Sequence, residues 1–368
     1  MKFTCEKYLL QAAVATTARA AAAKSPNPAL EGLFIEAASN VKITGYDLVK
    51  GIYTSFAADV AEAGSIVLSA KLFDNIVRSL PDDIVTVIAD DNNMARIVCG
   101  NADFSIMGMD SETYPVLPSV EHQNSVSIPQ NTLREMINQT IFAVSDNEAR
   151  PVYTGALFEI SDGKLTVVAV DGYRLAKRCE TLEAGNMDNC SFIAPGGALN
   201  DLEKMCSDTD EGVKIILGNK HISFSVGNYV LLTRRLEGEF LDYKKSIPSD
   251  HAFTFKAERT KLLRAVERVS LIIDDRIKNP LRCVFNDSKL NMYCVTALGK
   301  GEDMCPLEGD GRGLEIGFNN RYLLDALKAI PGEKIYLCLN NGSSPCVITP
   351  EDGSDKFLYM ILPVRLKA

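Results

Sequence analysis

The sequence predicts an α+β protein made of three copies of one module, each with two helices set against antiparallel sheets. Three observations predict it: residues recur in a shared register, one order of segments appears three times, and proline-bearing linkers separate the copies. Gly45, Gly172 and Gly299 lie 127 residues apart, and the same offset links Gly100 to Gly227, Leu72 to Leu199 and Phe158 to Phe285. Glycine alone is common enough to coincide. Several matches in one register, each in a similar local setting, mark an internal repeat.

The elements follow in chain order. Helical patterns open the copies at residues 3–22, 129–144 and 257–271; in the third, Leu262, Leu263, Val266 and Val269 form one apolar stripe. Strand blocks come next. Leu33–Glu36 leads through Val41–Thr44 to Gly45-Tyr46-Asp47-Leu48, Leu157–Ile160 leads through Val167–Val170 to Asp171–Leu175, and Cys283–Phe285 leads through Tyr293–Thr296 to Gly299. Second helices are expected over Lys71–Leu80, Ala198–Cys206 and Arg321–Ile330, the first and last halted by Pro81 and Pro331. Hairpins close each copy, with turns at Asp90–Asn93, Gly100-Asn101, Gly218-Asn219, Gly227-Asn228 and Asn340–Ser344. Linkers at Tyr114–Pro118 and Tyr243–Pro248 set module boundaries at 1–124, 125–250 and 251–368.

Composition narrows the class. A chain of 368 residues, 46% hydrophobic and 24% charged, is an ordinary globular protein too long for one core. No apolar run reaches the length of a membrane span, so no membrane role is expected. Glu6, Lys7 and Arg19 interrupt the Ala-rich start, which reads as a structural helix rather than a secretion signal. Ten scattered cysteines with no C-x-x-C pair read as buried thiols in a cytosolic chain. His122, His221 and His251 show no metal-ligand spacing, so no metal is expected.

Catalytic motifs are not found. The sequence has no G-x-x-x-x-G-K-[ST] phosphate loop and no G-x-S-x-G elbow. Gly309–Gly313 reads as a surface loop, Asp90–Asn93 as a polar hairpin turn, and Asp82-Asp83 and Asp274-Asp275 as solvated carboxylates. No nucleophile sits with a base, so no catalytic residue and no cofactor are assigned. Two readings stay open beside any other: a repeat-built protein-binding scaffold, and a hydrolase using Asp171, Tyr173 and Arg174.

Three segments carry a family resemblance: Asp171-Gly172-Tyr173-Arg174-Leu175-Ala176, Arg235–Tyr243 with Ile247-Pro248, and the terminal Tyr359–Leu366. Together they resemble the bacterial DNA polymerase III beta subunit family, the sliding clamps, across the whole chain. The resemblance implies three clamp modules in a crescent that dimerises head to tail into a closed ring around double-stranded DNA. It implies a non-enzymatic processivity factor in the cytoplasm. Its partners would be the polymerase III catalytic subunit, a clamp-loader ATPase, and other proteins bearing short Gln-Leu-x-Leu-Phe-type motifs.

The same resemblance implies a hydrophobic pocket for those motifs. From the second module it would take Tyr153, Val170, Gly172, Tyr173, Arg174 and Leu175. The linker would add Leu241, Lys245 and Ser246, and the chain end Met360, Leu362, Pro363, Val364, Arg365 and Leu366. Leu175 and Leu366 could equally serve module packing alone. Leu241, Lys245, Ser246, Tyr153 and the Lys367-Ala368 extension depart from the family pattern, so the pocket is expected to differ in size.

A net charge of −9 argues against tight phosphate gripping. A ring holds DNA by topology, and strong contacts would hinder sliding. Basic residues still collect locally: Lys256, Arg259, Lys261, Arg264 and Arg268 stand against Glu258 and Glu267, with Lys261, Arg264 and Arg268 on one helix face. Any solvated helix can look so. By resemblance Lys24 would touch DNA, with Lys71, Arg78 and Arg150 as weaker candidates, while Pro195-Gly196-Gly197 lacks the basic residues of some relatives. The dimer surfaces would be the edge strand Phe104–Met109, including Ile106, and the segment Leu271-Ile272-Ile273.

Overall fold

The computed structural model describes residues 1–120, 124–182, 189–274 and 279–366; His122, Asp275, Lys367 and Ala368 lie outside that set. Each module opens on a strand that feeds a helix. Lys2–Glu6 leads into α1 (Lys7–Thr17), a second helix α2 spans Ala70–Ser79, and Asn124–Pro129 leads into α3 (Gln130–Asn138). The second module's other helix is α4 (Gly196–Met205), a single turn α5 (Tyr243–Ser246) lies in the second linker, and Phe253–Glu258 leads into α6 (Arg259–Ser270) before α7 (Asn320–Ala329).

The opening strands shorten all three first helices relative to the expectation. In Lys2–Glu6 burial alternates at Phe3 and Cys5, a period of two that overrides the helix propensity of the alanines behind it. The second helices stop where proline predicts: α2 is followed by Leu80 and Pro81, and α7 by Ile330 and Pro331. On α6 the buried face is Leu262, Ala265, Val266 and Val269, leaving Lys261, Arg264 and Arg268 outside. In the first module α1 and α2 pack over one core containing Phe3, Leu10, Val14, Leu33 and Phe73, each fully buried.

Two compact units hold these modules. Met1–Arg134 and Asn200–Arg235 form one, and the described residues among 135–199 and 236–368 form the other. Within the first, Lys50–Phe56 of module one pairs antiparallel with Tyr229–Arg234 of module two, Gly51 facing Leu232, to make an eight-stranded sheet. Within the second, Arg174–Thr181 of module two pairs antiparallel with Phe357–Ile361 of module three, Leu175 facing Met360, inside a twelve-stranded sheet. Both joints obey one rule: the last strand of a module lies against the third inner strand of the module before it.

The rule leaves two edges. Ala102–Met107 ends its five-stranded sheet with Met94–Cys99 as its neighbour. Gly299–Glu308 pairs with Lys289–Thr296 along its length, but on its other side it meets Phe253–Glu258 only at Glu308 and Leu307. The expected edge segment Phe104–Met109 is therefore shifted: the strand ends at Met107, and Met109 bridges back to Val67.

The repeat is real, but most of the matches at 127 are not equivalent positions. Gly45 lies inside Val41–Tyr46, where an added Cβ would meet the Thr17 carbonyl oxygen at 2.1 Å, whereas Gly172 is a turn residue with φ +93°. Its counterpart is Leu48, at φ +74°. In each turn an aspartate side chain caps the next strand: Asp47 Oδ1 accepts from the Val49 and Lys50 amides, and Asp171 Oδ1 from those of Tyr173 and Arg174. In module three Thr296 Oγ1 accepts from the Leu298 amide in the same place. Leu72 is 45% exposed and Leu199 is buried, and the strand pairings align Phe158 with Cys283 rather than Phe285. Gly100 and Gly227, at φ +56° and +54°, do match.

Candidate functional sites

The first site grows from the joint in the second unit. Pairing Leu175 with Met360 gathers Val170, Leu175 and Met360 into one apolar cluster with Val168, Tyr243, Cys338 and Val347. Tyr153, Phe240 and Ile247 pack on it half-buried, Tyr153 and Phe240 meeting edge to face at 5.6 Å. Val170, Leu175 and Met360 are buried and form a floor, while Tyr173 at 62% and Leu241 at 39% stand exposed. The sequence missed Tyr243, Phe240, Ile247, Cys338 and Val347. The first three lie within the linker motif already singled out, so their apolar character was the available signal.

The Asp171 turn sets the polar wall. Gly172 supplies the left-handed backbone, and an added Cβ would meet nothing within 4 Å. Tyr173 stacks on Tyr322 at 6.4 Å. Arg174 is fixed from three sides: its Nε donates to Asp171 Oδ2 at 2.8 Å, its Nη1 to Asp325 Oδ2 at 2.6 Å, and its guanidinium lies 4.4 Å from the centre of the Tyr322 ring. Asp171 therefore commits both oxygens to the turn and to Arg174, a structural carboxylate rather than a base. That leaves the hydrolase alternative without its acid–base group.

The chain end runs along the same joint. The Leu362 amide donates to the Tyr173 carbonyl at 2.8 Å and the Val364 amide to the Gly317 carbonyl at 2.8 Å. Pro363 between them is half-buried and Arg365 exposed. Leu366 presses on Gly317, where an added Cβ would lie 2.5 Å from its Cδ2, a packing contact. On α5, Lys245 pairs with Asp242 at 2.7 Å and Ser246 Oγ donates to the Asp242 carbonyl at 3.4 Å. These two residues are engaged at the rim, not in the apolar floor.

The basic candidates fall into two groups. Lys24, Lys71, Arg150 and Arg264 are exposed and have no carboxylate partner among the described residues. Arg78 pairs with Asp74 at 2.7 Å, Lys261 with Glu258 at 2.8 Å, and Arg268 Nε with Asp303 Oδ2 at 2.5 Å. Arg268 holds the Asp303 carboxyl below its ordinary range.

The third site is the pair of open edges. Phe104 at 37% and Met107 at 65% are exposed on the first, and Ile106 packs half-buried on the module core. Beside the second, Leu271, Val295, Leu298 and Met304 are 83%, 63%, 77% and 49% exposed. Ile272 lies under Gly301, whose added Cβ would sit 3.1 Å from Ile272 Cδ1; Ile273 is half-buried. Among the described residues no His, Cys, Asp and Glu group could hold a metal. Nine cysteines are buried and Cys190 is half-buried; burial pushes the Cys5 thiol up to about 12.

Comparison with known proteins covers the whole chain. Family models for the DNA polymerase III beta subunit match three times: the N-terminal domain over residues 1–118, the central domain over 127–242 and the C-terminal domain over 244–365. The "Beta sliding clamp" of Synechocystis sp. is 32% identical, over 100% of both chains. That of Halalkalibacterium halodurans is also 32% identical, over 99% of this chain and 100% of its own. Among solved structures, the DNA polymerase sliding clamp from Bacillus subtilis superposes with a TM-score of 0.95 at 29% identity, covering 100% of both chains. The beta subunit from DNA polymerase of Streptococcus pyogenes does so at 0.93 and 26%, again over 100% of both.

Proposed function

The chain belongs to the DNA polymerase III beta subunit family, and from that premise we propose how this particular sequence does the family's work. It acts as a DNA sliding clamp, a non-catalytic subunit that homodimerises and serves a polymerase on DNA. Two copies join head to tail, so that six modules close into a ring around duplex DNA. The observation that carries this is the pair of open edges. Two joints inside the chain follow one pairing rule, and Ala102–Met107 and Gly299–Glu308 are the last strand and the third inner strand the rule leaves over. Carrying the register across sets Phe104 opposite Gly301 of a second copy, with Ile106 opposite Gly299. Exposed apolar side chains at both edges support that docking, since an open edge of this kind calls for cover. A head-to-tail contact that closes on itself leaves no edge free.

The apolar joint at Leu175 and Met360 is the docking site for partner peptides. Its floor would take one or two Leu or Phe anchors of a Gln-Leu-x-Leu-Phe-type motif, each worth roughly 1.5–3 kcal/mol when buried. Tyr173, Arg174 and Leu362 line the approach. The polymerase catalytic subunit and a clamp-loader ATPase are the partners this supports, the loader because a closed ring must be opened to admit circular DNA. Lys24, Lys71, Arg150 and Arg264 would face the duplex with weak, sequence-independent attraction. The cytoplasm is the compartment such work supports, and no described helix is long and apolar enough to cross a membrane.

The test is retention. Protein loaded on singly nicked circular DNA should stay with it through gel filtration in high salt and leave when the circle is cut once. Equal loss from circle and linear DNA would refute encirclement.

A further inference from the structure

The two joints inside the chain share a device that the third joint lacks. Lys50 and Arg174 are the first residues of the third inner strands of modules one and two. Each reaches a carboxylate on the module that follows: Lys50 pairs with Asp201, and Arg174 with Asp325 at 2.6 Å. Asp201 and Asp325 are both the sixth residue of the second helix of their modules, α4 and α7. The first pair is sheltered on both sides, Lys50 and Asp201 being 19% and 11% exposed; in the second, Arg174 is 11% exposed and Asp325 42%.

The same two positions at the intermolecular joint carry no charge. The first residue of the third inner strand is Gly299, and the sixth residue of α2 is Asn75. The other charges along the open stretches of these edges, Glu308 at the paired end of its strand aside, find partners within their own chain. Asp103 pairs with Arg96 at 2.6 Å, Lys300 with Glu302 at 2.6 Å, and Asp303 with Arg268 at 2.5 Å.

We infer that the ion pairs Lys50–Asp201 and Arg174–Asp325 are latches that make the internal joints permanent, and that Gly299 and Asn75 leave the joint to the second copy unlatched so that it alone parts. The physical reason is an asymmetry in the energy of separation. Separating Lys50 from Asp201 strands a sheltered charge on each side, and separating Arg174 from Asp325 takes from Arg174 one of its two carboxylates, whereas separating a glycine from an asparagine strands no charge. Because the edge charges are satisfied within each protomer, they stay paired when the edges part. The inference rests on the dimer register proposed above, so its test separates the two.

Phe104→Cys with Gly301→Cys should give a dimer cross-linked by mild oxidation, since facing residues on paired strands sit within disulfide reach. No cross-link overturns the register and the latch with it. Given the cross-link, subunit exchange between differently labelled dimers is compared for Gly299→Arg and for Gly299→Arg with Asn75→Asp. Gly299 has φ +144°, so arginine there is strained, but the strain is common to both variants and cancels. Exchange at least tenfold slower in the double variant than in Gly299→Arg alone is the expected result; rates equal within twofold overturn the latch.

A second arm avoids the strained position. In Asp201→Asn, amide hydrogen exchange should quicken about tenfold in Tyr229–Arg234 and not in Phe357–Ile361, and Asp325→Asn should do the reverse. Unchanged exchange in both variants would likewise overturn the latch.

Discussion

Arg264 and Arg268 lie one helical turn apart on the exposed face of α6, yet their surroundings make them different reagents toward phosphate. Arg268 already donates to Asp303, so reaching DNA would exchange one anion for another, whereas Arg264 has no carboxylate partner among the described residues. Each neutralised phosphate steepens the salt dependence of duplex binding by about 0.9 in log–log slope. We therefore expect Arg264→Ala to flatten that slope by about that amount in anisotropy titrations, and Arg268→Ala to flatten it by less than half as much. Equal effects would mean that the Asp303 pair does not hold Arg268 back. The pair outlasts mild acid. Arg268 depresses the Asp303 carboxyl in the folded state, so its contribution is present above the unfolded value and is lost only as pH falls through the lower, folded one. The helical spacing of Lys261, Arg264 and Arg268 was legible in the sequence, and so was Glu258, three residues from Lys261. Asp303 was not, because it reaches Arg268 from a strand 35 residues away.

Turns show how one element can be read correctly in kind and wrongly in register. Equal spacing picked out Gly45, Gly172 and Gly299, but the folded chain aligns Leu48 with Gly172, both left-handed, behind a capping aspartate. Loops of different length between equivalent strands shift the offset, so a fixed interval aligns residues that play different parts. Element order survived because it depends on hydrophobic period and turn chemistry rather than on counting. The opening strands did not, since Lys2–Glu6 is too short for its alternation to stand out against eleven helical residues behind it. Gly172 itself is testable. An added methyl meets no atom within 4 Å, so Gly172→Ala costs only the left-handed backbone, roughly 1–2 kcal/mol, less the roughly 0.4–1 kcal/mol gained from a stiffer unfolded chain. A net loss of about 1 kcal/mol in chemical denaturation is expected, with weaker peptide binding because Tyr173 and Arg174 hang on that turn. Unchanged stability would mean that the turn carries a side chain in the left-handed conformation at no net cost, as it carries Leu48 in the equivalent turn.

At the scale of the molecule, three modules were visible in the sequence while the two compact units were not. The units arise because the joint strands fuse sheets across module boundaries, Tyr229–Arg234 onto Lys50–Phe56 and Phe357–Ile361 onto Arg174–Thr181, and such pairing leaves no local mark in either partner's sequence. The pocket floor was legible only through family motifs, because Leu175 and Met360 are far apart in the chain and look like any core pair. Net charge agrees with the proposed ring: a chain at −9 offers DNA little overall attraction, so closure would supply the retention. Closure and docking therefore separate cleanly by mutation. Gly301 faces the second copy in the proposed register; its added Cβ would press on the Ile272 side chain at 3.1 and 3.3 Å, which must give by a few tenths of an ångström, and would meet the Val269 carbonyl at an ordinary 3.7 Å. Gly301→Asp should then leave the fold intact, with unchanged circular dichroism, while setting a carboxylate against Phe104 of the other copy, where it would be buried without a partner. Sedimentation should report a monomer at micromolar concentration, and retention on nicked circles should fall to the level of linear DNA. A labelled Gln-Leu-Ser-Leu-Phe-type peptide should bind the monomer as it binds the parent, because every residue of that site comes from one chain. Arg174→Ala should do the reverse, weakening the peptide while the dimer persists. A Gly301→Asp protein that remained dimeric would place the contact elsewhere, and a monomer that also lost the peptide would tie the pocket to the ring.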